Sequence, residues 1–424
     1  MYYSDVKHNF FLVIRTALKI INPDTILSPL HQVGDNAIAF DKTIHAIGPL
    51  QELLDTYPDA ELIELPQNSL LMPGLVNSHV HLEFSANKTE LTYGGFLPWL
   101  YSVIEQRDEL VNGCSVDCIN RAVQDMLKCG ITAFGAVSSY GLDLEAAAAA
   151  PQKVVFFNEL IGSQAQMADA LFGDFISRLN ASEAIEREGF YPAVAIHSPY
   201  SVHPILIKKA LQIAKDKELV TTAHFMESMA EREWLDDSKG DFKPFFNDLL
   251  KQNIAVNSAK EFLEIFKGHP TLMTHVVHAD EDELKILHRD GHTVIHCPVS
   301  NRLLGNGAID LDALEKHGIR WVCGTDGLSS NYKLDLFEEM KIALFMHSET
   351  ALAPLASRLL ESVTVNAADA LGLNCGEIAV GKDADMLVLQ LDSKPNEQLP
   401  LHLLLQRYPI KKIFIDGQTV KTEE

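Results

Sequence analysis

A chain of 424 residues with 47% hydrophobic side chains can bury a large core, and single barrel domains often exceed ~250 residues, so length alone does not fix a domain count. The formal net charge of −23 excludes nucleic acid and anionic membrane as partners, because both require a positive footprint. No apolar run approaches the ~20 residues that span a bilayer, the N-terminus lacks a signal-like pattern, and six scattered cysteines form no CxxC pair; the expectation is a soluble cytoplasmic chain with reduced thiols.

Residues 1–70 read as short strands and turns. The segment 10–21 is apolar and β-branched, 37–47 alternates around a turn at Asp41 and Lys42, and 61–65 is a further short run. From Leu70 the rhythm changes to eight short apolar runs separated by helical stretches: 70–80, 131–137, 153–159, 191–197, 219–225, 271–277, 292–297 and 320–325. Unbroken apolarity over so few residues suits parallel strands buried on both faces. Eight of them alternating with helices predict an α/β fold, a (β/α)8 barrel over 71–373; an open doubly wound sheet is the arrangement that counting does not exclude. After a helix ending near Leu373, DADMLVLQL at 383–391 and a hairpin at 410–420 through Asp416 and Gly417 return to strands. The two β-rich ends, 1–70 and 374–424, are expected to pair into one small β-sandwich domain.

Polar residues gather where the predicted strands end. His79 and His81, in PGLVNSHVHLEF, are two apart and project to one side of a strand, which at a C-terminal end faces the barrel mouth. His197 ends the fourth run, His224 ends the fifth with Glu227 three residues on, His275 lies near the end of the sixth, and Asp326 ends the eighth. Charged or imidazole groups at the ends of apolar strands need partners or a metal, and five strand ends together point to one convergent site. Imidazoles with one carboxylate suit one divalent ion, zinc or iron(II), with a position left for water. Glu159 and Ser198 stand where a bridging lysine would follow the third or fourth strand, which favours one metal over two. Cys114 and Cys118, one helical turn apart, read as packing residues, as do His296 and Trp99. His278 and His292 read as ordinary histidines. Glu83 is balanced between a ribose contact and an ion pair with a lysine such as Lys88.

The segments PGLVNSHVH, HSPYS, HFME, HVVH, HCPVSN and GTDG resemble the amidohydrolase superfamily along almost the whole chain. TVNAADALGL and CGEIAVGKDADMLVL resemble the helix and sheet that follow the barrel in these proteins. HLEFSANK, FFNELIGS, HFMESMAEREWL and NRLL are most similar to the adenine-nucleoside deaminases of S-adenosylhomocysteine and methylthioadenosine, and within that branch to those acting on 6-aminodeoxyfutalosine in menaquinone biosynthesis. The resemblance implies His79, His81, His224 and Asp326 as metal ligands, with Asp326 also the base. It implies Glu227 and His275 as further catalytic groups and His197 as a contact to the substrate's sugar or side arm. The implied substrate is a small nucleoside whose remote arm carries a carboxylate; Arg302 is the expected partner, a salt bridge to Asp310 or Asp312 being the competing reading.

The alternatives are deamination of S-adenosylhomocysteine, methylthioadenosine or adenosine, hydrolysis of a cyclic amide or chloro-substituted heterocycle, and a scaffold that has lost catalysis. The full ligand set argues against the scaffold, and a glutamate three after His224 favours deamination. The oligomeric state is open, a homodimer included.

Overall fold

The computed structural model describes residues 17–28, 31–33, 36–87 and 89–421. Eight parallel strands follow one another in order: Leu75–Val80, Ile131–Ser138, Lys153–Leu160, Phe190–Ile196, Thr221–Phe225, Leu272–His275, Thr293–His296 and Trp321–Cys323. Alternate residues explain their unbroken apolarity. Val76, Ala133, Val155, Ala193, Leu272, Ile295 and Val322 pack together in one cluster, while Phe134, Val154, Val194 and Val294 pack with the surrounding helices, so both strand faces are buried.

The predicted run 70–80 is two strands. Ser69–Pro73 pairs antiparallel with Met386–Gln390, outside the barrel, and Leu75–Val80 begins the barrel. Nothing in the side chains marks that division, because both halves are fully buried.

The chain ends form two smaller sheets. One runs in the order Gln418–Thr419, Ile410–Ile415, Met386–Gln390, Ser69–Pro73, Thr25–Ser28, His31–Val33; the other in the order Ile44–Gly48, Ala37–Phe40, Lys19–Ile21, Glu61–Ile63. Ile21, Ile38 and Phe40 of the second pack against Leu71, Met386, Val388 and Phe414 of the first, with the Phe40 and Phe414 rings edge to face at 5.4 Å. This is the expected β-sandwich built from both ends; of the segment 10–21, residues 10–16 lie outside the described residues. Asp416 and Gly417 adopt φ of 46° and 67°, the pair of left-handed residues that a two-residue hairpin turn needs.

Sandwich and barrel are joined at a buried ion cluster. Lys153, opening the third barrel strand, places Nζ 2.6 Å from Asp385, 2.8 Å from Asp416 and 2.9 Å from Asp383. Among the described residues no helix is long and apolar enough to cross a membrane.

Candidate metal centre and active site

The barrel closes where its polar residues meet. The first strand and the segment after the eighth are joined by Asn77 Nδ2 donating to Thr325 Oγ1 at 2.8 Å, and by Thr325 N and Asp326 N both donating to the His79 carbonyl at 3.1 Å. The glycines of GTDG permit this approach: a Cβ on Gly324 would lie 2.8 Å from the His79 Cβ, and one on Gly327 2.9 Å from the His81 Cβ. Asp326 itself has φ of 57°, a strained conformation for a non-glycine residue that recurs at functional sites.

Asp326 Oδ1 thereby sits 3.7 Å from His79 Nε2 and 3.8 Å from His81 Nε2, and His81 Nε2 is 3.4 Å from His224 Nε2. The other nitrogen of His224 fixes its tautomer: Nδ1 lies 2.9 Å from the His197 carbonyl, which can only accept, so Nδ1 carries the proton and Nε2 keeps its lone pair. Burial, with His79 next, lowers the His81 pKa to about 4; burial and the neighbouring imidazoles lower His224 as well. Burial alone would raise the Asp326 carboxyl, but the adjacent His79, with His81 and His275 beside it, outweighs that and holds it well below the usual range. Its oxygens also accept from Gly327 N, Ser300 Oγ and Ser330 Oγ, each at 2.8 Å.

Neutral imidazoles and an ionised carboxylate suit a divalent cation. The three histidines offer ligand atoms within 4.8 Å of one another, and His79 Nε2 is buried with no hydrogen-bond partner among the described residues, an orphaned lone pair that a cation would satisfy.

Glu227 and His275 stand beside this group. His275, at φ 74°, donates from Nδ1 to Asn301 Oδ1 at 2.9 Å, leaving Nε2 as an acceptor 3.6 Å from Glu227 Oε1. Burial lowers the His275 pKa to about 4. Burial, then the charges of Asp326 and Glu231, push the Glu227 carboxyl well above its ordinary value, against the Asn306 amide that donates to Oε1 at 3.2 Å. Its surroundings therefore favour the protonated form of Glu227. Its backbone is clamped by Glu231, whose carboxylate accepts from Met226 N and Glu227 N at 3.0 and 2.8 Å.

The remaining expected site residues divide. His197 lies against His224 with ring centroids 5.2 Å apart, its Nδ1 engaged by Ser201 Oγ at 2.6 Å. Glu83 is buried, and both its oxygens accept from the backbone N–H groups of Ser139, Tyr140 and Leu142 at 2.7–3.0 Å; these donors tie it to the loop after the second strand. Lys88 lies outside the described residues. Arg302 is exposed on the helix Pro298–Leu303, and among the described residues it makes no ion pair with Asp310 or Asp312. His296 points away from the site, its Nε2 3.2 Å from His347 Nε2. Trp99 donates from Nε1 to the Ser329 carbonyl at 2.8 Å, and Cys114 and Cys118 are free thiols, sulfurs 3.6 Å apart. Sequence reasoning missed Ser300, Asn301, Asn306, Ser330 and Glu231; the dense polar run SNRLLGN was the only signal for the first three.

The sequence model of the Amidohydrolase family matches residues 70–420. This chain belongs to that family. Among curated relatives of this amidohydrolase, the aminodeoxyfutalosine deaminase of a Nitratiruptor species is 48% identical over 403 residues, 95% of this chain and 99% of that protein. The adenosine deaminase of Helicobacter pylori is 33% identical over 392 residues, 91% and 95% of the two chains. The crystal structure of Helicobacter pylori aminofutalosine deaminase with methylthio-coformycin superposes with a TM-score of 0.90 at 31% identity, covering 95% of this chain and 100% of that one.

Proposed function

We propose that this amidohydrolase removes the 6-amino group of 6-aminodeoxyfutalosine by hydrolysis, giving futalosine and ammonia, with one divalent ion, zinc or iron(II), held by His79, His81, His224 and Asp326. The observation that carries the reading is the gathering of Asp326 within 3.7–3.8 Å of His79 and His81, and of His81 within 3.4 Å of His224, with Glu227 and His275 paired at 3.6 Å beside them, supported by 48% identity to an aminodeoxyfutalosine deaminase over nearly the whole chain. A bound divalent ion supplies a water whose pKa is lowered towards ~7. Asp326, kept acidic, takes the proton of that nucleophile. His275, neutral with Nε2 free, accepts a hydrogen bond and orients it. Attack at the ring carbon moves electrons to the adjacent ring nitrogen, and Glu227 delivers its proton there as the bond forms. The proton held by Asp326 passes to the amino group, which leaves as ammonia, and the hydroxyl proton of the product restores Glu227.

His197, beside His224, faces the sugar, and Arg302 binds the carboxylate of the remote arm. All six cysteines are free, as a reducing cytoplasm requires. The test is deamination, followed by its ultraviolet shift, of 6-aminodeoxyfutalosine, S-adenosylhomocysteine, methylthioadenosine and adenosine. The highest kcat/KM belongs to 6-aminodeoxyfutalosine; a preference for S-adenosylhomocysteine or adenosine overturns the assignment.

A further inference from the structure

Glu159 ends the third barrel strand with 1% exposure. Its Oε2 accepts from Ser139 Oγ, while among the described residues Oε1 has no hydrogen-bond partner. Among the described residues Glu159 makes no ion pair with lysine or arginine; Arg178 donates to its backbone carbonyl instead, at 2.8 Å. A buried carboxylate oxygen without a donor is costly unless nearby positive charge offsets it. The groups at hand are imidazoles, that of His224 with a lowered pKa, and not cationic side chains. Oε1 is 4.0 Å from His224 Nδ1, and Glu159, His197 and His224 each offer a ligand atom within 4.8 Å of the others. Because His224 Nδ1–H already donates to the His197 carbonyl, the carboxylate lies behind the ring as a fixed negative charge, on the side away from His81.

We propose that Glu159 is a positioning residue of the metal centre: its buried charge strengthens His224 as a ligand, holds the tautomer that leaves Nε2 free, and balances the charge of the bound cation. This rests on the metal assignment proposed above. Groups behind a ligating histidine commonly change metal affinity ~10–100-fold when removed.

The experiment titrates metal-free wild type and Glu159→Gln with zinc against a chromophoric chelator. Glutamine keeps the shape and the Ser139 bond but removes the charge. The expected result is one ion per chain in both, bound ~10-fold or more weakly by the variant, with KM for 6-aminodeoxyfutalosine unchanged once zinc saturates. Glu159→Asp, which restores the charge, should recover most of the affinity, and this separates electrostatics from damage to folding. Equal zinc affinity in wild type and Glu159→Gln overturns the inference, as does a rise in KM without loss of affinity, which would make Glu159 a substrate contact. A second ion bound by wild type and lost in Glu159→Gln would make it a ligand instead. A wild type that binds no zinc or iron(II) fails the metal assignment itself, a result distinct from all of these.

Discussion

Asp326 and Glu227 are both carboxylic acids buried in one site, yet their surroundings push their pKa values in opposite directions. Asp326 is ringed by imidazoles and accepts from two serine hydroxyls and a backbone N–H; Glu227 has one amide donor and two negative neighbours. Their substitutions should therefore fail differently. Glu227→Gln keeps every ligand and loses the acid, so zinc content measured by atomic absorption stays at the wild-type level while kcat falls ~10²-fold or more. Asp326→Asn weakens the charge that holds the cation and removes the base, so metal content and turnover fall together. Loss of metal in Glu227→Gln would make Glu227 a ligand; full metal and activity in Asp326→Asn would take that residue out of the site.

One short helix, Pro298–Leu303, serves the site from two of its residues: Ser300 bonds Asp326 and Asn301 bonds His275. Arg302 follows on the same helix, exposed and, among the described residues, without an ion pair, which leaves its planar fork available for a carboxylate, a contact of ~1.5–3 kcal/mol. Arg302→Met should lower kcat/KM for 6-aminodeoxyfutalosine ~10-fold or more while leaving methylthioadenosine, which has no carboxylate, nearly unchanged. An equal fall on both substrates would make Arg302 a support of the helix. At the opposite end of the barrel, Lys153 is 4% exposed among three aspartates. Lys153→Met leaves those carboxylates together without their cation, and the expected loss is ~3–5 kcal/mol of unfolding free energy, read as a lower denaturant midpoint; an unchanged midpoint would show that the cluster does not hold sandwich to barrel. The barrel strands were legible because burial on both faces leaves an apolar run that polar loops interrupt. The break after Pro73 was not, because a strand leaving one core for another stays apolar throughout. His79, His81, His224, His275 and Asp326 were legible as polar residues at apolar strand ends. Glu83 looked the same in sequence, and only the fold shows three backbone donors turned onto it.

Across the whole molecule, excess negative charge places no obstacle before a cation and disfavours an anionic group unless a local cation meets it. Five of the eight strands bring their polar ends to one site, and the seam between first and last strand carries three of the four proposed ligands. Metal binding to the folded chain alone stabilises it by mass action, so chelation should lower the thermal midpoint as well as stop catalysis. The measurement that bears most directly on this account is the recovery of 6-aminodeoxyfutalosine deamination as metal-free protein is titrated with zinc or iron(II). Activity should rise linearly and level at one equivalent per chain. Turnover without added metal, or a plateau only at two equivalents, would contradict a single-metal deaminase.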